Sequence, residues 1–420
     1  MNRNIFNNHA STTGANRTLK NFPLKLLTLC FAFISGTTTA EAVTLNLVAS
    51  GLDNPRDLTV GPDGALYVTE AGTGGDGACV PSPSVQGAEI CYGPTGAVTK
   101  IENGIQQRVI TGLPSLALPD GVEATGPQDI AFDLDGNAYV INGFAGDPTL
   151  RDTVVNILDF GHLLTLDFDT NSWTRTADLA KYEEENNPDQ GDLVSNPFSF
   201  VIDNGNALII DSGANDILSV GLDGSNLTTN TVFESRPFEN PIFPFPDGPP
   251  EISLQSVPTG IAISPDGTIY VVDFTGFPYP EGEARIYTLG LDNEPIFFAD
   301  GFTNLIDIAF DSQNNLYVLE YSTESAWKNP PAPGSIIKIT PDGKRTTIAS
   351  EGLLFPTAIT IDSEDNLYVS NKGFLPSEGE VLRIDNVQQS VPEPSTTLAT
   401  VLVLASLTMM KKTHSNKSKN

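Results

Sequence analysis

Histidine is nearly absent from this 420-residue chain, and basic side chains are scarce. It has three histidines, and only His162 lies away from the two ends. That excludes His-rich zinc or copper sites and a Cys-x-x-Cys-His haem attachment. It admits a Ser-His-Asp triad only if His162 is the base. Otherwise His162, just ahead of a strand, reads as a surface residue. Lys and Arg total 22 against 52 Asp and Glu. Residues 1–40 hold Arg3, Arg17, Lys20 and Lys25, residues 395–420 hold Lys411, Lys412, Lys417 and Lys419, and neither stretch has an acid. All 52 acids therefore lie between residues 41 and 394. Such a surface disfavours nucleic acid, which needs a basic footprint. It suits a highly soluble exported protein, or carboxylate capture of a divalent cation.

Cysteine is as rare, with three copies. Cys30 falls in the leader; Cys79 and Cys91 share one Gly/Pro-rich loop without the Cys-x-x-Cys spacing of a redox pair. In an oxidising compartment they pair, closing a loop worth roughly 3 kcal/mol in the chain-entropy picture. No Gly-rich loop opens a helix, so nucleotide cofactors have no visible seat.

What the chain has is a repeat. Pro258–Asp273 (PTGIAISPDGTIYVVD) reads as two short strands around a Pro-Asp-Gly turn. The unit recurs at Pro55–Glu70, Pro127–Asn142, Pro197–Asp211, Leu305–Glu320 and Pro356–Asn371. The core ring or its substitute falls at Tyr67, Tyr139, Leu208, Tyr270, Tyr317 and Tyr368. Six strand-rich units with turn residues at fixed offsets predict an all-β fold, a single six-bladed β-propeller over residues 41–390. Third strands are expected at Gly96–Ile101, His162–Phe168, Asp216–Leu222, Ala284–Leu291, Gly334–Thr340 and Gly379–Asp385. After the last the chain leaves without a fourth strand. Thr44–Leu52 (TLNLVASGL) ends like the outer strands of the other units and is expected to close the ring as that missing strand, removing two open sheet edges.

The connections between second and third strands vary most: Ala71–Thr95, Gly143–Gly161, Phe274–Glu283, Tyr321–Pro333 and Lys372–Glu378, against a short Ser212–Asn215. They share one rim, where propellers bind. Two insertions fall between blades, Lys181–Ser195 and the Pro-rich Arg236–Gln255, the latter expected to be extended.

Both ends read as sorting elements. Residues 1–40 form a secretory signal with an apolar core at Leu24–Ile34 and small residues at the cleavage site. Residues 391–420 begin with Pro392-Glu393-Pro394, run apolar from Thr396 to Met410 and end in Lys411-Lys412. As a helix those 15 residues span about 22 Å, short of a bilayer core of about 30 Å. The tail resembles the PEP-CTERM signal of exosortase substrates, which implies a transient membrane anchor cut off during export to the periplasm, outer envelope or extracellular matrix.

Two residue sets are candidates for chemistry. Glu70, Asn142, Asp211, Asp273, Glu320 and Asn371 each stand three residues after the core ring position, at the loop-bearing end. They are either a rim of oxygen ligands or structural caps on the following turns; recurrence in every blade favours caps. Asp57, Asp129 and Asp307, with Arg56 and Gln128 beside two of them, start the inner strands, while Ser199, Gly260 and Ala358 take the equivalent places. That irregularity suits a site at the channel mouth, holding Ca²⁺ or working as acid and base. Trp327, in a rim loop, could stack on a planar ligand.

The repeat PxxIAxxxDGxxYVxD is similar to NHL-type repeats. With the leader, the opening block LVASGLDNPRDLTVGPDGALYVTEAG and the PEP-CTERM tail, the chain resembles the cyanobacterial ScyD/ScyE family, named for the scytonemin biosynthesis cluster. The resemblance implies an exported cell-envelope protein linked to late steps of an indole–phenolic pigment, and an indole–phenolic ligand. Two classes of function follow. One is a binding or assembly module. The other is an enzyme, either for oxidative coupling or, on the pattern of gluconolactonases, a metal-dependent hydrolase using Asp57, Asp129 and Asp307.

Overall fold

The structure is a computed structural model that describes residues 43–239, 248–328, 330–385 and 387. The leader and the Pro392-Glu393-Pro394 tail lie outside the described residues, and among those residues no helix is long and apolar enough to cross a membrane. The six sequence units fold into six antiparallel sheets, the blades of one propeller. Their inner strands are Pro55–Val60, Pro127–Phe132, Pro197–Asp203, Pro258–Ile263, Leu305–Phe310 and Ala358–Ile361.

The repeat's residue choices explain the hairpins. In blades 1, 2, 5 and 6 the hydroxyls of Tyr67, Tyr139, Tyr317 and Tyr368 donate to the turn carboxylates of Asp63, Asp133, Asp311 and Asp362 at 3.0–3.3 Å. The same carboxylates accept backbone N–H groups across the turn. One Asp thus fixes the turn and anchors the core ring. Each blade is then closed at its other end: residues 71, 143, 212, 274, 321 and 373 donate N–H to the carbonyls of residues 54, 126, 196, 257, 304 and 355. The residue before the inner strand adopts positive φ at Asn54, Val257 and Asn304, as does Phe355 at the corresponding place before Pro356 in blade 6. Asn tolerates that backbone; Val257 and Phe355 are held there against their side-chain sterics.

Ring closure is as expected. Asn46–Leu52 pairs antiparallel with Gly379–Ile384, Asn46 facing Arg383 and Leu52 facing Gly379. The apolar core lies between blades. Leu52, Leu58 and Val68 pack with Ala358, Tyr368 and Val381, joining first blade to last. Hydroxyls stitch neighbouring blades as well: Thr69 donates to the Gln128 carbonyl at 2.9 Å, Thr259 to that of Leu305 at 2.9 Å, and Thr357 to those of Pro55 and Arg56 at 2.9 and 2.8 Å.

Three expectations need correction. Residues 71–95 are not all loop: the third strand of blade 1 runs Glu89–Glu102, pairs with Ile105–Ala117, and carries the short strand Cys79–Pro81. Cys79 and Cys91 face each other in that ladder and are bonded, S–S 2.01 Å. The insertion at 236–255 is not an unpaired segment throughout: its flanks Arg236–Glu239 and Glu251–Leu254 pair as a two-stranded ribbon, while residues 240–247 of its Pro-rich middle, expected to be extended, lie outside the described residues. His162 is buried, 4 % exposed, with Nδ1 3.1 Å from the Phe160 carbonyl and Nε2 3.5 Å from Asp178. Beside it Arg151, 1 % exposed, grips Asp178 with both terminal nitrogens. Burial lowers the His162 pKa, and no serine bonds to its ring among the described contacts.

Candidate functional site

The six inner strands line the central channel, and their register sets what faces it. Alternate residues point inward. In blades 1, 2 and 5 the inward position nearest the loop-bearing end is Asp57, Asp129 and Asp307; Thr59, Ala131, Val201, Ala262, Ala309 and Thr360 follow below. A channel of about 340 Å³ bounded by these strands opens away from the long loops and is floored by the three carboxyls. On their other side lies a small void of about 20 Å³, lined by Arg56, Gln128, Phe198, Thr259 and Thr357 among others. The carboxyls therefore form a septum across the propeller.

The septum departs from the expected metal site. Among the described residues no three His, Cys, Asp or Glu side chains gather as metal ligands. The reason is visible in the hydrogen bonds. Asp129 Oδ2 accepts the N–H of Phe200 in blade 3 at 2.6 Å. Asp307 Oδ2 accepts that of Ile359 in blade 6 at 2.7 Å, and its Oδ1 that of Ile308 at 2.8 Å. Both carboxyls are staples to the next blade. Asp57 instead lies against Asp129, and like charges so close disfavour ionisation of both carboxyls. Burial, and then the neighbouring Asp129 carboxylate, pushes Asp57 well above the usual range; burial also raises Asp129 and lifts Asp307 to about 8. Gly260 leaves room for this: a Cβ there would come 2.7 Å from Asp307 Cα.

At the loop-bearing end, side chains from four connections converge over the axis. The Arg56 guanidinium lies 4.0 Å from the Phe374 ring centroid and donates to the Ala124 carbonyl. Tyr321 joins Phe374 at 5.5 Å and Phe355 at 5.6 Å between centroids, and Phe274 at 5.6 Å. Phe274 continues to Tyr279 at 5.6 Å, and Tyr279 to Phe277 at 5.7 Å. All six rings keep some exposure. Arg56 is 5 % exposed. Burial lowers its pKa to about 10, against the opposing pull of Glu123 and Tyr321; Glu123 is itself raised by burial. The face is thus an aromatic crown around one desolvated guanidinium and one carboxyl. Gln128 is buried below it, donating to Thr125 Oγ1 at 3.1 Å. Trp327 stands half-buried in the blade 5 connection on the same face.

The rim ring is structural in its bonding. Its six members are at most 7 % exposed. Glu70 accepts from Asp53 N and from Arg108 Nε and Nη2. Asp211 accepts from Ser195, Asn196, Gly213 and Ala214. Asp273 accepts from Ser256 and Arg285 N, Glu320 from Thr303 N and Ser335, and Asn371 from Leu354 N. Asn142 donates to the Asp159 carbonyl. These bonds make the ring a set of caps on the neighbouring turns and strands. Sequence reasoning named Arg56, yet missed the crown aromatics, whose only signal was Phe or Tyr in several rim loops.

No protein-family model matches the chain, and no curated protein matches it. Among solved structures it is similar to regucalcin, a calcium-binding protein from Agrobacterium tumefaciens, at 14 % identity, TM-score 0.46, over 82 % of this chain and 94 % of that one. It is also similar to a putative gluconolactonase at 10 % identity, TM-score 0.44, over 81 % and 91 %. Virginiamycin B lyase from Staphylococcus aureus follows at 14 % identity, TM-score 0.41, over 81 % and 97 %. At such identities no site residue transfers from them.

Proposed function

We propose that this chain is an exported binding module of the cell envelope whose loop-bearing face holds a planar aromatic ligand of the indole–phenolic kind, in the service of a scytonemin-like pigment. The observation that carries the reading is the crown: partly buried Phe274, Tyr279, Tyr321, Phe355 and Phe374, each keeping some exposure, around Arg56. Aromatic faces bind flat rings by offset or edge contact, and the guanidinium adds a cation–π partner and donors for a phenolate. Delivery rests on the leader and on the Pro392-Glu393-Pro394 tail, which suit secretion and exosortase-type sorting machinery. Titration calorimetry with an indole–phenol tests the proposal. Phe374→Ala and Phe355→Ala should each weaken binding about tenfold, the equivalent of 1.4 kcal/mol. Unchanged affinity in both would overturn it.

The enzyme class keeps one supporting observation, the neighbouring Asp57 and Asp129 carboxyls at the floor of an open channel. Carboxyls so arranged can donate and accept protons. Hydrolysis of small lactones that survives EDTA and disappears in Asp57→Asn would favour a metal-free hydrolase; activity abolished by EDTA would favour a metal-dependent one.

A further inference from the structure

The insertion between blades 2 and 3 carries a second acidic group, away from the crown and the channel. The helix Leu179–Asn186 buries Leu179, Ala180 and Glu183, and ends at Asn187 in the left-handed conformation. Its cap Asp178 accepts the Lys181 N–H. The loop that follows returns to blade 3, where Asn215 Nδ2 donates to Asp189 Oδ2 at 2.8 Å. Asp216 starts the third strand of that blade opposite Asp211. Helix end, loop and strand start are therefore held together.

Glu183 and Asp216 are each 1 % exposed, and all four of their carboxylate oxygens lack a hydrogen-bond partner among the described residues. The contrast with Asp211 next to them is sharp, since four donors satisfy that carboxylate. Nor is a basic group at hand: Lys181, on the same helix, pairs with Glu184 and Glu185 at the surface. The charged groups that face the pair, Asp211 and Asp189, are acids, and with burial they hold both carboxyls above their ordinary range, Glu183 at about 8. Two buried carboxylates with neither donors nor a counter-ion are too costly to persist as bare anions near neutrality. Protons or a cation must cancel the charge. The Asn187 amide oxygen, four residues on from Glu183, is also without a partner among the described residues, and the groups the pair itself offers a cation are oxygens. Hard oxygen ligands of net charge −2 select Ca²⁺ over transition metals, and a pre-formed, dehydrated seat disfavours Mg²⁺.

We propose that Glu183 and Asp216 are ligands of a structural Ca²⁺ ion that ties the interblade helix to the third strand of blade 3. The test is thermal unfolding of the whole protein after EDTA dialysis, with Ca²⁺ or Mg²⁺ added back at pH 7.5. Ca²⁺ at a hundredfold excess over its Kd should shift the folding equilibrium about a hundredfold toward the native state and raise Tm by several degrees; Mg²⁺ should do far less. Glu183→Gln and Asp216→Asn should melt no lower than the EDTA-treated parent and lose the Ca²⁺ response. As a readout independent of these variants, Tb³⁺ excited through Tyr182 should luminesce and be displaced by Ca²⁺, with the signal reduced in Tyr182→Phe. A parent with no Ca²⁺ response whose Tm simply climbs as pH falls from 8 to 5 would overturn the proposal, the protons alone then cancelling the charge. A full Ca²⁺ response retained in both variants would overturn it equally.

Discussion

Asp307 offers a stringent check on the carboxyl septum. Its pKa is raised by burial to about 8 in the folded protein, against 3.8 for an ordinary aspartate. A carboxyl raised on folding binds its proton more tightly in the native state than in the unfolded one. Stability from this group is therefore present in full below about pH 4 and is lost as pH climbs towards 8. A shift of roughly four units corresponds to about 5 kcal/mol at most. Because Asp307 is partly open to the channel, solvent relieves some of that cost, and about 2–3 kcal/mol is the working expectation. Asp307→Asn removes the titration and keeps an oxygen for the Ile359 N–H, at the cost of about 1 kcal/mol for the Ile308 N–H left without its acceptor. Urea unfolding of parent and variant in saturating Ca²⁺, from pH 5 to pH 9, isolates the difference. The variant should gain stability relative to the parent as pH rises from 5 to about 8 and level off above that. A difference that stays constant across that range would refute the placement of a protonated carboxyl in the septum.

Other consequences can be measured on the same protein. Arg108→Met strips the buried, 0 %-exposed Glu70 side chain of its partner at 2.6 Å and should cost about 3 kcal/mol by urea unfolding, a loss absent from Arg345→Met at the surface. Gly260→Ala places a methyl against Asp307 Cα; about 1–3 kcal/mol of destabilisation is expected, together with a lowered Tm at every pH. Deleting Asn46–Leu52 uncovers the edge of Gly379–Ile384 and should raise aggregation above that of the parent by light scattering. A deletion variant that aggregates no more than the parent and melts like it would contradict the role of that strand.

How much was legible differs from element to element. The turn Asp and the ring Tyr act within one hairpin, so the spacing Asp133 to Tyr139 or Asp311 to Tyr317 carries its own structural meaning, and the hairpin it belongs to, repeated six times with and without that bond, marks six blades. The outer strand of the last blade was legible because Val48–Leu52 repeats the endings of the other units. The site was only half legible. Inner-strand register placed Asp57, Asp129 and Asp307 on the channel, but not their bonds to Phe200 and Ile359, which come from the next blade. The crown escaped because Arg56, Tyr279, Tyr321 and Phe374 stand on different blades and meet only above the axis.

Local periodicity and turn chemistry therefore belong to the sequence: strand order, hairpin turns, ring closure and an acidic, nearly histidine-free composition. Whether a polar group is a ligand, a staple or an orphan belongs to the tertiary structure. Asp211 and Asp216 are five residues apart and chemically identical, yet one accepts four hydrogen bonds and the other none. Satisfaction of a buried carboxylate depends on which donors the closed ring brings within 3 Å, and those donors are mostly backbone groups whose direction no side-chain pattern encodes.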